Sequence, residues 1–128
     1  MKIQEINVVF NCLDGTTELS RSDTIEGIQR PAQPYDIQLV RILFDGGYML
    51  QVDDELTVIQ KGDFKITYRN DEPTNLVIHG DCKSQEPAGY DGDVKDLLSQ
   101  YKCPIRCDDL IKMRIAHLRV LLTLKPIP

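Results

Sequence analysis

The chain has 128 residues, of which 41% are apolar and 27% are charged, and its net charge is −5. This composition is typical of one globular domain and does not favour a disordered or a membrane-spanning chain. An acidic chain lacks the clustered Lys and Arg that bind phosphate backbones, so no nucleic-acid partner is expected. An acidic surface is instead suited to a protein partner.

The four cysteines bear on the compartment in which the protein works. The first ten residues, MKIQEINVVF, contain polar residues where a signal peptide needs an apolar run. No later window has the length of apolar sequence that a membrane span requires. We therefore expect a cytoplasmic protein with reduced thiols.

The pattern of the chain predicts a single domain over residues 1–128. Residues 1–80 are rich in β-type sequence, residues 80–92 are predicted to form a loop, and residues 93–124 are predicted to be helical. At the start, Ile6, Val8 and Phe10 alternate with polar residues, as in a strand with one buried face. The polar segment 16–34 is predicted to be a short strand followed by a loop.

Residues 35–71 contain the strongest strand signals. Apolar runs end at Asp45-Gly46-Gly47, at Asp53-Asp54-Glu55 and at Lys61-Gly62-Asp63, which are sequences typical of tight turns. Together they predict an antiparallel meander. In IQLVRILF the apolar phase changes partway, which indicates either a strand covered on both faces or a β-bulge.

Two helices are predicted after the strands. In residues 93–101, apolar side chains follow the spacing of an amphipathic helix, and Pro104 ends it. The second helix is predicted to begin at Cys107 or Asp108. Its apolar residues extend beyond one simple stripe, which indicates deep burial or packing on two sides. The stripe consists of Ile111, Ile115, Leu118 and Leu122, and it is widened by Val120, Leu121 and Leu124.

These elements predict an α+β fold, in which an antiparallel sheet of about five to seven meandering strands is followed by two C-terminal helices packed on one face. One face and both edges of such a sheet remain to be covered. A homodimer is a common solution, so a homo-oligomer is expected.

A paired arrangement of four residues offers a zinc site. His79 and Cys82 are separated by two residues, and Cys103 and Cys107 by three. Structural zinc takes four such ligands from two short half-sites. The alternatives are free buried cysteines, which need no metal, and a redox pair in CPIRC, where Cys107 lies at a helix N-terminus. We expect no cofactor, and zinc is the alternative.

Basic side chains near the second helix offer a different site. Arg106 with Lys112 or Arg119 is predicted to line a cleft between sheet and helices and to hold a small anionic or nucleotide-like ligand. Tyr90 or Tyr101 would then stack on a ring of that ligand. The alternative is an ordinary solvated helix surface.

Motifs of known enzyme chemistry are missing from the sequence, including phosphate-binding glycine loops, zinc-protease helices and nucleophile elbows. The sequence therefore predicts a small, acidic, non-catalytic interaction protein of inhibitor, adaptor or regulatory type, which acts as a homodimer and binds a partner protein. The two alternatives are a binder of a small anionic ligand and a zinc-stabilised binding domain.

Overall fold

The computed structural model describes residues 1–73, 75–79, 87–89 and 104–125. Within these ranges, eight strands form one antiparallel sheet and a single α-helix follows it. The strands are β1 (Ile3–Cys12), β2 (Thr17–Ser22), β3 (Tyr35–Phe44), β4 (Tyr48–Asp53), β5 (Leu56–Lys61), β6 (Phe64–Arg69), β7 (Asn75–His79) and β8 (Pro87–Gly89). The helix, α1, is Cys107–Thr123.

The predicted antiparallel meander is confirmed for β3 to β7, and β1 lies between β2 and β3. The sheet has eight strands, one more than the upper end of the prediction. The strand that the sequence did not predict is β8, at residues 87–89 of the predicted loop 80–92, since three residues that include a proline carry no strand pattern. The C-terminal helix α1 is confirmed, and the other predicted helix, residues 93–101, lies outside the described residues.

A β-bulge in β3 explains the change of apolar phase in IQLVRILF. Val9 of β1 pairs with Leu39, but the next residue, Phe10, pairs with Ile37, so Gln38 is the extra residue. Because the bulge shifts the alternation by one position, Tyr35 and Ile37 share the inner face with the buried residues of the second half of β3. The inner face is therefore apolar along the whole strand.

The connection from β2 to β3 crosses the inner face of β1. Strands β2 and β3 both run antiparallel to β1. Strand β2 ends beside Ile6 of β1 and β3 begins beside Cys12, so the connection must span about 20 Å along β1. Residues 23–34 make this return. They contribute Ile25 and Ile28, both buried, to the hydrophobic core.

Helix α1 packs on the same inner face. Its buried residues are Leu110, Met113, Ala116 and Val120. These side chains join the core that the strands form. The strand residues of that core are Ile6, Val8, Phe10, Val40, Ile42, Phe44, Leu50, Ile59, Ile66, Tyr68, Leu76 and Ile78.

The C-terminal end of α1 is held by hydrogen bonds from β3 and from the β2–β3 connection. The Tyr35 hydroxyl donates a hydrogen bond to the carbonyl oxygen of Leu124 at 2.5 Å. The Arg30 guanidinium donates to the carbonyl oxygens of Thr123 and Lys125. Carbonyls at a helix end have no partner within the helix and carry partial negative charge, so a cation and a hydroxyl stabilise them.

The N-terminal end of α1 is fixed through Asp109. Its carboxylate accepts a hydrogen bond from the backbone N–H of Arg106 at 3.3 Å and another from the Tyr48 hydroxyl at 3.0 Å. The Lys61 ammonium donates to the same tyrosine oxygen at 3.1 Å. A negative charge in the first turn suits the helix dipole, and the contact with β4 sets the position of this end on the sheet.

Replacing Tyr35 with Phe should lower the free energy of unfolding by about 1 kcal/mol, because the carbonyl of the buried residue Leu124 loses its side-chain donor. Urea denaturation measures this change. The matched control is Tyr68→Phe, since Tyr68 is buried whereas Tyr35 is half-buried, and the Tyr68 hydroxyl has no hydrogen-bond partner among the described residues. Equal losses for both variants would contradict the role assigned to the Tyr35 hydroxyl.

Candidate functional site

Helix α1 presents a second apolar face to solvent, which we call the outer stripe: Ile111, Ile115, Leu118 and Leu122. These side chains are 51%, 52%, 56% and 73% exposed, respectively. The sequence indicated deep burial or packing on two sides, but among the described residues only the opposite face of the helix is packed. Large contiguous apolar surfaces of this kind often mark interaction sites.

Three basic side chains lie beside the outer stripe. Lys112 and Arg119 flank one edge of it and Arg114 flanks the other, as the helical spacing of these residues requires. Arg119 lies 3.6 Å from the Glu26 carboxylate of the β2–β3 connection. The Arg114 guanidinium lies over the ring of Tyr68, 5.3 Å from its centroid, in a cation–π contact.

A cleft of about 420 Å³ opens between α1 and strands β3 to β6. Its apolar wall includes Val40, Val52 and Leu121, and Arg114 and His117 line it from the helix. A cavity of this size and composition can hold a small molecule.

Three polar residues on the strand side of the cleft, Asp53, Thr57 and Asn70, form hydrogen bonds with one another or within the adjacent turn. The Thr57 hydroxyl donates to the Asn70 side-chain oxygen at 2.5 Å, and the Asn70 amide nitrogen donates to the carbonyl oxygen of Asp53 at 2.8 Å. Asp53 uses its carboxylate to accept the backbone N–H groups of Glu55 and Leu56. These groups stabilise the β4–β5 turn. Arg114 and His117 line the cleft from the helix, and Gln38 and Asp54 line it from the strand side.

The structure separates the basic residues that the sequence grouped at an anion site. Arg106 precedes the first turn of α1, where its backbone N–H bonds to Asp109. Lys112 is exposed, Arg119 contacts Glu26, and neither lines the cleft. Tyr90 and Tyr101, predicted to stack on the ligand, lie outside the described residues.

Arg114 and His117 line the cleft from the helix, and sequence reasoning did not assign either of them to a site. Together with Leu121 they recur at intervals of three and four residues, so they share one side of the helix. That spacing was readable in the sequence. The strands that this side of the helix faces were not.

Two of the four predicted zinc ligands lie outside the residues that the structure describes. Cys82 and Cys103 are in the omitted ranges, and His79 is described only as the last residue of β7. Cys107 is a half-buried free cysteine at the start of α1. Within the described ranges, no group of three or more His, Cys, Asp or Glu side chains could hold a metal ion. The four-ligand zinc site therefore stays a prediction.

Comparisons with protein-family models, with curated proteins and with solved structures found no match to this chain. In the part of the chain that the structure describes, no helix is long and apolar enough to cross a membrane. The geometry of the outer stripe and of the cleft is thus the basis for any functional proposal.

The burial of His117, which lines the cleft, makes the stability of the fold depend on pH. Burial disfavours the charged imidazolium and lowers the pKa of His117 below its ordinary value of 6.5. Below pH 6.5 the unfolded chain then binds this proton more readily than the folded one, so stability is lost as pH falls from 6.5 through the lowered pKa. Above pH 6.5 both states are neutral at this residue and the contribution is constant.

Replacing His117 with Asn should therefore reduce the loss of stability between pH 6.5 and pH 5, with little change in that slope at pH 8. Urea denaturation at several pH values measures the slope. A proton NMR titration gives the pKa directly. The imidazole signals that are absent from the spectrum of the variant are those of His117. A pKa of His117 at or above 6.5 would contradict the prediction.

Proposed function

We propose that this protein is a non-catalytic interaction protein of inhibitor, adaptor or regulatory type, which binds a partner protein through the outer stripe of α1. The observation that carries the proposal is the alignment of four large apolar side chains, each at least half exposed, on one face of a helix. The other face of that helix already fills the core. The outer stripe is therefore not needed to attach α1 to the sheet.

A fixed helix is a suitable binding element. Both ends of α1 are held by hydrogen bonds to the sheet and to the β2–β3 connection, through Asp109 at one end and Leu124 at the other. A preorganised surface loses little conformational entropy when a partner binds. Docking of an apolar helix face against another protein is a recurring mode of recognition.

We also propose that the homodimer expected from the sequence uses the outer face of the sheet, opposite α1. Leu19 on edge strand β2 pairs with Val9, and Val9 pairs with Leu39, so three apolar residues form one cross-strand row. Leu19 is 59% exposed. A dimer formed through this row would leave the outer stripe of α1 free to bind a different partner.

Replacing Leu118 with Glu should abolish capture of the partner while leaving the fold intact, because the side chain is exposed and a charge there is solvated until a partner covers it. The test is affinity capture from the native host, followed by titration calorimetry with the purified captured protein. The matched control is Leu13→Glu, which places the same charge on an exposed leucine of the β1–β2 turn, outside both the outer stripe and the Leu19 row. A partner that binds the Leu118 variant as tightly as the parent would contradict the proposal.

A second candidate function is the binding of a small anionic ligand in the cleft. The specific observation in its favour is the cleft of about 420 Å³ between sheet and helix, with Arg114 among the residues that line it. The aromatic ring of Tyr68 and the apolar side chains of β3 and β4 offer contacts for an aromatic group, and Arg114 offers a fixed positive charge.

The dye anilinonaphthalene sulfonate, an aromatic anion, should bind this cleft, and Arg114→Gln should weaken binding about tenfold because it removes a charge-assisted hydrogen bond. Fluorescence titration measures both affinities. Lys112→Gln is the matched control, since it removes a cation from the same helix outside the cleft. If both variants weaken binding equally, the dye is bound by general charge attraction and the cleft proposal fails.

A further inference from the structure

We infer that the partner element recognised by the outer stripe is an acidic amphipathic helix of another protein. This inference rests on the proposed function, because it names the chemistry of the partner at the same surface. It depends on two features of α1: the spacing of the apolar residues and the sign of the charges beside them.

The spacing of the outer stripe is that of a coiled-coil seam. Ile111, Ile115, Leu118 and Leu122 are separated by four, three and four positions, which is the alternation of the a and d residues of a heptad repeat. On a helix with 3.6 residues per turn, the four side chains fall within an arc of about 60°. Such a narrow apolar line fits another helix better than it fits a broad flat surface.

The charges beside the seam all have the same sign. In the heptad that the stripe defines, Lys112 and Arg119 occupy e positions and Arg114 occupies a g position. These positions meet the flanking residues of the opposing helix. Three cations therefore flank this seam, although the chain as a whole has a net charge of −5.

A second copy of α1 is a poor occupant for this reason. In a parallel pairing, Arg114 of one copy would face Arg119 of the other. In an antiparallel pairing, Lys112 of one copy would face Arg119 of the other. Both arrangements place like charges together, which costs free energy, whereas Glu or Asp at the flanking positions of a different helix would form ion pairs with the same residues.

Two nearby acidic residues limit where the partner's charges fall. Glu26 lies 3.6 Å from Arg119, but the pair is exposed, and exposed ion pairs contribute little, so a partner carboxylate can replace it. Asp108 is exposed and lies before Ile111 at the N-terminal end of the seam. The acidic residues of the partner are therefore expected along residues 112–119 and not beside Asp108.

The inference is tested with two synthetic helical peptides of about three heptads, which share Leu at their a and d positions. One peptide has Glu at its e and g positions, and the other has Lys there. Binding of each to the full chain is measured by fluorescence anisotropy at low and high salt. The Glu peptide should bind at least about tenfold more tightly than the Lys peptide, and this preference should shrink as salt rises.

Three variants of the full chain complete the test. Lys112→Glu combined with Arg119→Glu should reverse the preference, because the Lys peptide then meets opposite charges. Leu118→Glu should abolish binding of both peptides. Leu13→Glu, in the β1–β2 turn and outside both proposed interfaces, should leave both affinities unchanged.

Several outcomes would overturn the inference. Equal affinity for the two peptides would show that charge does not select the partner. No binding of either peptide, in an experiment where the captured native partner still binds through Leu118, would reject a helical partner and leave the proposed function standing. A dimer in sedimentation equilibrium that Leu118→Glu dissociates would assign the outer stripe to a second copy. Loss of stripe-dependent capture and of peptide binding together would reject both proposals.

Discussion

The bulge at Gln38 is the constraint on which the arrangement of sheet and helix depends. Since successive strand residues point to opposite faces, the extra residue moves Tyr35 and Ile37 to the same side as the second half of β3. Tyr35 then packs edge-on against Phe10, with ring centroids 4.8 Å apart. From this position its hydroxyl reaches the Leu124 carbonyl, so a change of register in one strand sets one end of the helix.

With both ends held, α1 can turn only one of its two apolar faces towards the sheet. Charge explains which face is buried. Rotating the outer stripe inward would bring Lys112, Arg114 and Arg119 towards an apolar core, and cations without partners are costly to remove from water. The face that packs instead contains Met113 and Ala116, which are neutral, and the same rotation directs Asp109 to the Tyr48 hydroxyl. The outer stripe is thus exposed because the neutral face of α1 is the one that packs in the core.

The sequence predicts much of this fold because its strands alternate clearly. Ile6, Val8 and Phe10 mark a buried strand face, and Gly62 has the positive φ that its turn requires. The sequence left the bulge in β3 as one of two alternatives, because a strand covered on both faces would show the same change of apolar phase. The sequence did not identify the buried face of α1, because both faces are apolar and Lys112 and Arg119 were assigned to an anion site. It also could not predict that Arg114 and Tyr68 line the cleft together, because they are distant in sequence and only the packing of helix on sheet brings them into contact.

Arg114 connects the two surfaces for which functions are proposed. It flanks the outer stripe on one side and lines the cleft on the other, with its guanidinium over the ring of Tyr68. An anion in the cleft and a carboxylate of an acidic helix would compete for the same cation, so each would weaken the binding of the other. Thermodynamic linkage makes this effect reciprocal. A small anion would then act as an antagonist of the protein partner without covering the apolar stripe, through one side chain that both sites share.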